Sequence, residues 1–185
     1  MFHKILVAID HTSKGRYVFD HALSMAKDLA ANLVLVNVLS PGEEESPNMP
    51  RLFGQGLHPG GLNQSVVEIY EELWQAYAER RLELLRSLTC EAIAAGVQTE
   101  FVQQIGSPGW VICELARQLD VSLIIVGRRG RSGLNELILG SVSNYVLHHA
   151  PCSVLTVQNQ TVQNQTPVAK SVTSEQQPVA VNPNP

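Results

Sequence analysis

The chain nowhere runs for the about 18 uninterrupted apolar residues that a membrane span needs, and no membrane partner is expected. Cysteine is sparse. Cys90, Cys113 and Cys152 are odd in number, far apart and never in a Cys-x-x-Cys pair, which speaks against a disulfide framework or a Cys-rich metal site. They read as reduced core thiols of a cytoplasmic protein. Positive charge is not in surplus either: 13 Lys and Arg stand against 17 Asp and Glu, a formal net charge of -4. Bulk attraction to nucleic acid or to an anionic membrane is therefore excluded, and any anion site must be local. The apolar run from Ile5 to Ile9 is too short for a signal sequence and meets acid at Asp10. Two common phosphate loops are missing as well, since neither Gly-Lys-Ser/Thr nor Gly-x-Gly-x-x-Gly occurs.

What is present is a chain of 185 residues, 44% hydrophobic and 16% charged, enough for one domain with a full core. Ile5 to Ile9 is a short run suited to a strand, and Tyr17 to Ala31 carries apolar side chains at helical spacing. Leu33 to Leu39 is again a nearly continuous apolar run, the pattern of a strand covered on both faces of a parallel sheet. Ser40 to about Gly61 differs in kind, with Pro41, three successive glutamates, Pro47, Pro50 and several glycines; a long mobile loop over about 41–61 is expected. A helical pattern then runs from about Asn63 to a C-cap at Gly96, as one helix or as two with a bend. Val97 to Gln103 reads as a strand, Ser107-Pro108 as a helix start, Trp110 to Leu119 as helix and Ser122 to Val126 as the next strand. Ser141 to His149 reads as helix, and Cys152 to Val157 as a final strand beyond Pro151. This alternation predicts an α/β fold: a single doubly wound, five-stranded parallel sheet of Rossmann-like type with helices on both faces. The Gln, Asn, Ser and Pro-rich stretch 159–185 is expected to be a disordered tail.

Chemistry concentrates in Val126-Gly127-Arg128-Arg129-Gly130-Arg131-Ser132-Gly133 and in Gly140-Ser141-Val142-Ser143. Two residues separate Gly127 from Gly130, and nine separate Gly130 from Gly140-Ser141. The first glycines follow a strand and the last opens a helix. Backbone without a Cβ, next to a helix N-terminus, suits phosphate. In an open α/β sheet the ligand belongs at the carboxyl ends of the strands, which brings in Asp10 and Val38. Asp10 can accept from ribose hydroxyls or hold a metal through water, while the N–H groups of Gly130, Ser141, Val142 and Ser143 can cradle phosphates.

With these residues, Val126 to Val157 and Phe2 to Asp10 make the chain resemble the universal stress protein family, and the G-2x-G-9x-G(S/T) spacing resembles that family's ATP-binding branch. The resemblance covers residues 1–158 and implies a nucleotide-binding domain of that extent. It implies that Ala8, Ile9 and Asp10 lie beside ribose and adenine, with Val38 meeting adenine through its backbone. It also implies that Gly127 sits near ribose, and that Gly130, Gly140, Ser141, Val142 and Ser143 contact phosphates. Arg128 belongs to the same loop and is a candidate for a charge-assisted phosphate contact. The ligand implied is ATP, alone or with Mg2+, with AMP or another adenine nucleotide as alternatives. A homodimer through the last strand, Val154 to Val157, is implied as well.

Other candidates weigh less. None of the six histidines pairs with Cys or carboxylates at ligand spacing, and no metal site is predicted. His11 alone, following Asp10, is placed to reach a phosphate. Asp10, His11, Ser13 and Ser141 fall near the crevice, but no triad, dedicated lysine or paired carboxylates mark a catalytic set. Tyr70, Trp74 and Tyr77 read as packing, beside acidic residues that would repel nucleic acid. The expected function is a nucleotide-binding stress-response or signalling module in which occupancy alters the glycine loop and the 41–61 segment. A weak ATPase on the same fold and a non-nucleotide interaction protein are the alternatives.

Overall fold

The computed structural model describes residues 2–41, 45–47, 64–128 and 139–158. Nine elements alternate along them: β1 Lys4–Ala8, α1 Ser13–Leu29, β2 Asn32–Leu39, α2 Gln64–Ala94, β3 Thr99–Ile105, α3 Pro108–Gln118, β4 Leu123–Gly127, α4 Ser141–His149 and β5 Ser153–Val157. The strands form one sheet in the order β3-β2-β1-β4-β5, and every neighbouring pair is parallel. β1 pairs Lys4 to Ala8 with Asn32 to Val36 on one side and Ile5 to Val7 with Leu123 to Ile125 on the other. The doubly wound α/β architecture expected from the sequence is the one observed.

Alternation of side chains along each strand divides the core in two. Ile5, Val7, Leu33, Leu35, Leu123 and Ile125 face α1 and α2, where Phe19, Ala22, Leu85, Leu88 and Ala92 are buried against them. Leu6, Val34, Val36, Val38, Ile124 and Val126 face the other way, onto Ile112, Leu115 and Ala116 of α3 and Val146 of α4. α3 and α4 come close because Gly109 lies under the Tyr145 ring; a Cβ there would stand 2.7 Å from it.

Boundaries shift for local reasons. α1 begins at Ser13, ahead of the apolar periodicity, because Thr12 is an N-cap whose hydroxyl accepts from the Lys14 N–H at 3.2 Å. β3 begins at Thr99 because the helix before it closes through Gly96, at φ +86°, with the Val97 N–H bonded to the Ala92 carbonyl at 3.0 Å. α2 is one continuous helix of 31 residues, free of internal Gly or Pro. All three cysteines are free, but only Cys113 is buried; Cys90 is exposed and Cys152 half-buried. The reading of all three as core thiols is corrected, because Cys90 lies on the outward stripe of α2. Of the 41–61 segment only Pro41 and residues 45–47 are described, and the expected tail at 159–185 lies outside the described residues. No described helix is long and apolar enough to cross a membrane.

Candidate functional site

The winding reverses at β1: the chain proceeds outward through β2 and β3 on one side and through β4 and β5 on the other. At such a switch point neighbouring loops leave in opposite directions and open a crevice outside the carboxyl ends of the strands. The crevice here is lined by Ala8, Ile9 and Asp10 after β1, Val36 to Val38 of β2, Val126 to Arg128 at the end of β4, and Gly140, Val142 and Ser143 at the start of α4. His11, Lys14, Gly15 and Val18 complete one wall, and Pro108 and Ile112 the other. Of the residues singled out by sequence, ten therefore share one cleft: Ala8, Ile9, Asp10, His11, Val38, Gly127, Arg128, Gly140, Val142 and Ser143. Ser141, the first residue of α4, is exposed beside it. Gly130, Arg129 and Arg131 lie outside the described residues.

Hydrogen-bonding polarity differs between the two ends of the cleft. At α4 the first internal bond runs from the Asn144 N–H to the Gly140 carbonyl at 2.9 Å. The N–H groups of Ser141, Val142 and Ser143 consequently have no partner within the helix. Gly140, at the N-cap, has no side chain to satisfy them. Donors and the positive end of the helix dipole are thus presented together. The Ser143 hydroxyl is not among these donors. It is 2% exposed and donates to the Gly127 carbonyl at 2.8 Å, which ties α4 to the end of β4.

Acceptors gather at the β1 and β2 end. Asp10 is held by one oxygen, Oδ1, which accepts from the Thr12 N–H at 3.1 Å and from its hydroxyl at 2.8 Å. Gly15 packs so tightly on Asp10 that a Cβ would fall 2.1 Å from its carbonyl oxygen and 2.7 Å from Oδ1. Asn37, 7% exposed, donates through Nδ2 to the Ile9 carbonyl at 2.9 Å, and its buried Oδ1 has no partner among the described residues. Between the two ends the wall is apolar, made by Ala8, Val36, Val38, Ile112, Val126 and Val142.

Further charges flank the Asp10 end. His11 Nε2 stands 3.3 Å from Glu45 Oε1, and Arg81 Nη2 3.2 Å from Glu45 Oε2. Arg81 is 4% exposed, with its guanidinium over the Tyr77 ring at 4.8 Å. Burial pushes its pKa down and the negative charge of Asp10 acts the other way. His11 thus meets a carboxylate in this structure. Arg128 pairs with Gln158 Oε1 through Nη1 at 2.5 Å. Among the described residues no three His, Cys, Asp or Glu side chains cluster as metal ligands would.

Sequence reasoning missed Asn37, Gly15, Glu45 and Arg81. Asn37 was detectable as the single polar residue in the apolar run of β2, and Gly15 as a glycine in the first turn of a helix. Nothing in the spacing around Arg81 or Glu45 announces their meeting.

Comparison with known proteins bears on the whole of this architecture. Residues 1–158 match the model of the Universal stress protein family. A universal stress protein of Synechocystis sp. is 34% identical over 158 residues, covering 85% of this chain and 99% of that one. Among solved structures, UspA of Lactobacillus plantarum superimposes with a TM-score of 0.65 at 22% identity, over 84% of this chain and 97% of that one. A universal stress protein in complex with cAMP gives 0.56 at 23% identity, over 84% and 97%. The Archaeoglobus fulgidus universal stress protein in complex with dAMP gives 0.50 at 17%, also over 84% and 97%. At these identities the solved structures speak for the fold.

Proposed function

Since the chain belongs to the universal stress protein family, we propose that its switch-point cleft binds an adenine nucleotide, with ATP the first candidate. The observation that carries this is the α4 N-terminus, where Val142 and Ser143, whose N–H groups have no helical partners, line the same cleft as Asp10, with Ser141 beside it. A nucleotide has matching polarity. Its phosphates take the donors and the helix dipole, its ribose hydroxyls donate to Asp10, and its base covers the apolar wall. Two fold neighbours carry cAMP and dAMP, which supports an adenine ligand class here. Gly130, and the Arg128 guanidinium once released from Gln158, would add to the phosphate end, and Mg2+ would accompany the phosphates through water.

The reading is of a binding module. A change in partner contacts would be its output, and it would act as a homodimer through Val154 to Val157. β5 pairs only with β4 among the described strands, and an unpaired edge is a template for a second copy.

Denaturing freshly purified protein and resolving the released small molecules by ion-exchange chromatography tests the proposal. An adenine nucleotide is expected in the supernatant. Stripped protein should gain about 2.7 kcal/mol of stability at a hundred times the dissociation constant of ATP, read as a rise in Tm. No released nucleotide together with an unmoved Tm would overturn it.

A further inference from the structure

β3 forms the margin of the sheet opposite β5. Its residues pair with β2 without a break, from Thr99 beside Leu33 to Ile105 beside Leu39, so no bulge interrupts it. The Leu33 N–H donates to the Gln98 carbonyl at 2.9 Å and the Gly106 N–H to the Leu39 carbonyl at 3.0 Å. Bonding to one neighbour alternates along a parallel strand, so the even-numbered residues turn their backbone groups to β2 and Thr99, Phe101, Gln103 and Ile105 turn theirs outward. Among the described residues no strand takes them up. Edges are commonly blunted by lysine, proline or a bulge. β3 carries none of these, and Phe101 and Ile105 are 37% and 64% exposed.

The side chains of the outward-turned residues lie on the α2 face, since Phe101 stands beside Leu35 of that core layer. Gln103 Nε2 donates to the Ala78 carbonyl at 3.0 Å. Strand and helix there bound a groove lined by Glu72, Gln75, Ala76, Ala78, Glu79 and Gln103. From Gln64 to Glu79, α2 holds Glu68, Glu71, Glu72 and Glu79, all exposed, and no lysine or arginine. One oxygen of Glu79 meets the exposed Arg86 at 2.8 Å, which leaves the surface acidic.

We infer that the β3 edge and this groove dock an extended, basic segment of a partner protein, which adds a strand to the sheet. Its main chain pairs with the outward groups of β3, and every second side chain enters the groove. Lysine or arginine suits that place, because the stem covers Phe101 and Ile105 while the head reaches Glu72 and Glu79. Charge chooses the occupant. A second copy paired symmetrically here would set the same glutamates against each other, on a chain of net charge -4, and like charges across an interface oppose it.

Amide NMR of the isotope-labelled full chain tests this with synthetic peptides that span β3: one alternating valine with lysine, one alternating valine with glutamate, and the lysine peptide methylated on every backbone nitrogen. The lysine peptide is expected to shift the amides of Thr99, Phe101, Gln103 and Ile105, and the other two to leave them unmoved. Binding should weaken roughly tenfold when Glu72→Lys and Glu79→Lys are combined; both side chains are exposed, and circular dichroism checks the fold. Shifts confined to α2, with the methylated peptide binding equally well, would mean that charge alone holds the peptide and would overturn the inference. So would the absence of shifts with every peptide in the wild type, which needs no variant. Concentration-dependent shifts along β3 without peptide would assign the edge to a second copy and overturn it too.

Discussion

At the scale of single residues the cleft is defined by how closely backbone may approach. Gly15 illustrates this, because its hydrogen fills the place where any side chain would strike the Asp10 carbonyl and carboxylate. Gly15→Ala is expected to cost about 1–3 kcal/mol through overpacking, measured as a lowered Tm, and to weaken ATP binding by displacing Asp10. An unchanged Tm would show that α1 can slide away from β1. The thiols offer an independent check of the burial pattern. Burial pushes the Cys113 thiol up, and that of Cys152 likewise, with the neighbouring Cys113 adding to it, so less reactive thiolate is present at neutral pH. Alkylation of native protein should therefore modify Cys90 first, with Cys113 labelled only after denaturation; mass spectrometry of peptides reads the order.

Elements contribute through which stripe they bury. α2, with 31 residues, spans roughly 46 Å at 1.5 Å per residue, about twice the length of the strands it covers. Its buried residues start only at Tyr77 and continue through Arg81, Leu85, Leu88, Thr89 and Ala92. The first turns instead expose Ile69 and Leu73, because they extend past the carboxyl edge of the sheet. Leu85→Ala should destabilise the fold by about 2–5 kcal/mol, while Leu73→Ala should stay within about 0.5 kcal/mol; urea melts of the two variants decide it. Equal effects would mean that the projecting turns are packed. α4 does the opposite of α2. It is short, and its value lies in the amides of its first turn rather than in the area it covers.

The whole molecule sets what is close to what and what remains open. With β5 at the margin of the sheet, Leu155 is 36% exposed. A second copy paired along this strand would cover it. Leu155→Glu is accordingly expected to convert a dimer to a monomer in size-exclusion chromatography with light scattering, leaving the circular dichroism of the fold unchanged. A wild-type protein that elutes as a monomer would remove the dimer from the proposal.

The sequence by itself determined the order and kind of the elements, since continuous apolar runs force buried strands and helical spacing forces one-sided helices. It also marked the glycines and the Gly140-Ser141 helix start, whose demands are local. Tertiary structure alone decided that β1 and β4 stand side by side, and hence that Asp10 and the α4 amides share a cleft. It alone turned Asn37 Oδ1 into a buried acceptor, spent the Ser143 hydroxyl on Gly127 and brought Arg81 to Glu45. The physical reason is that a strand's pattern records how many faces are covered but not which strand lies beside it. Partners more than a hundred residues apart meet only through the crossovers that order the sheet.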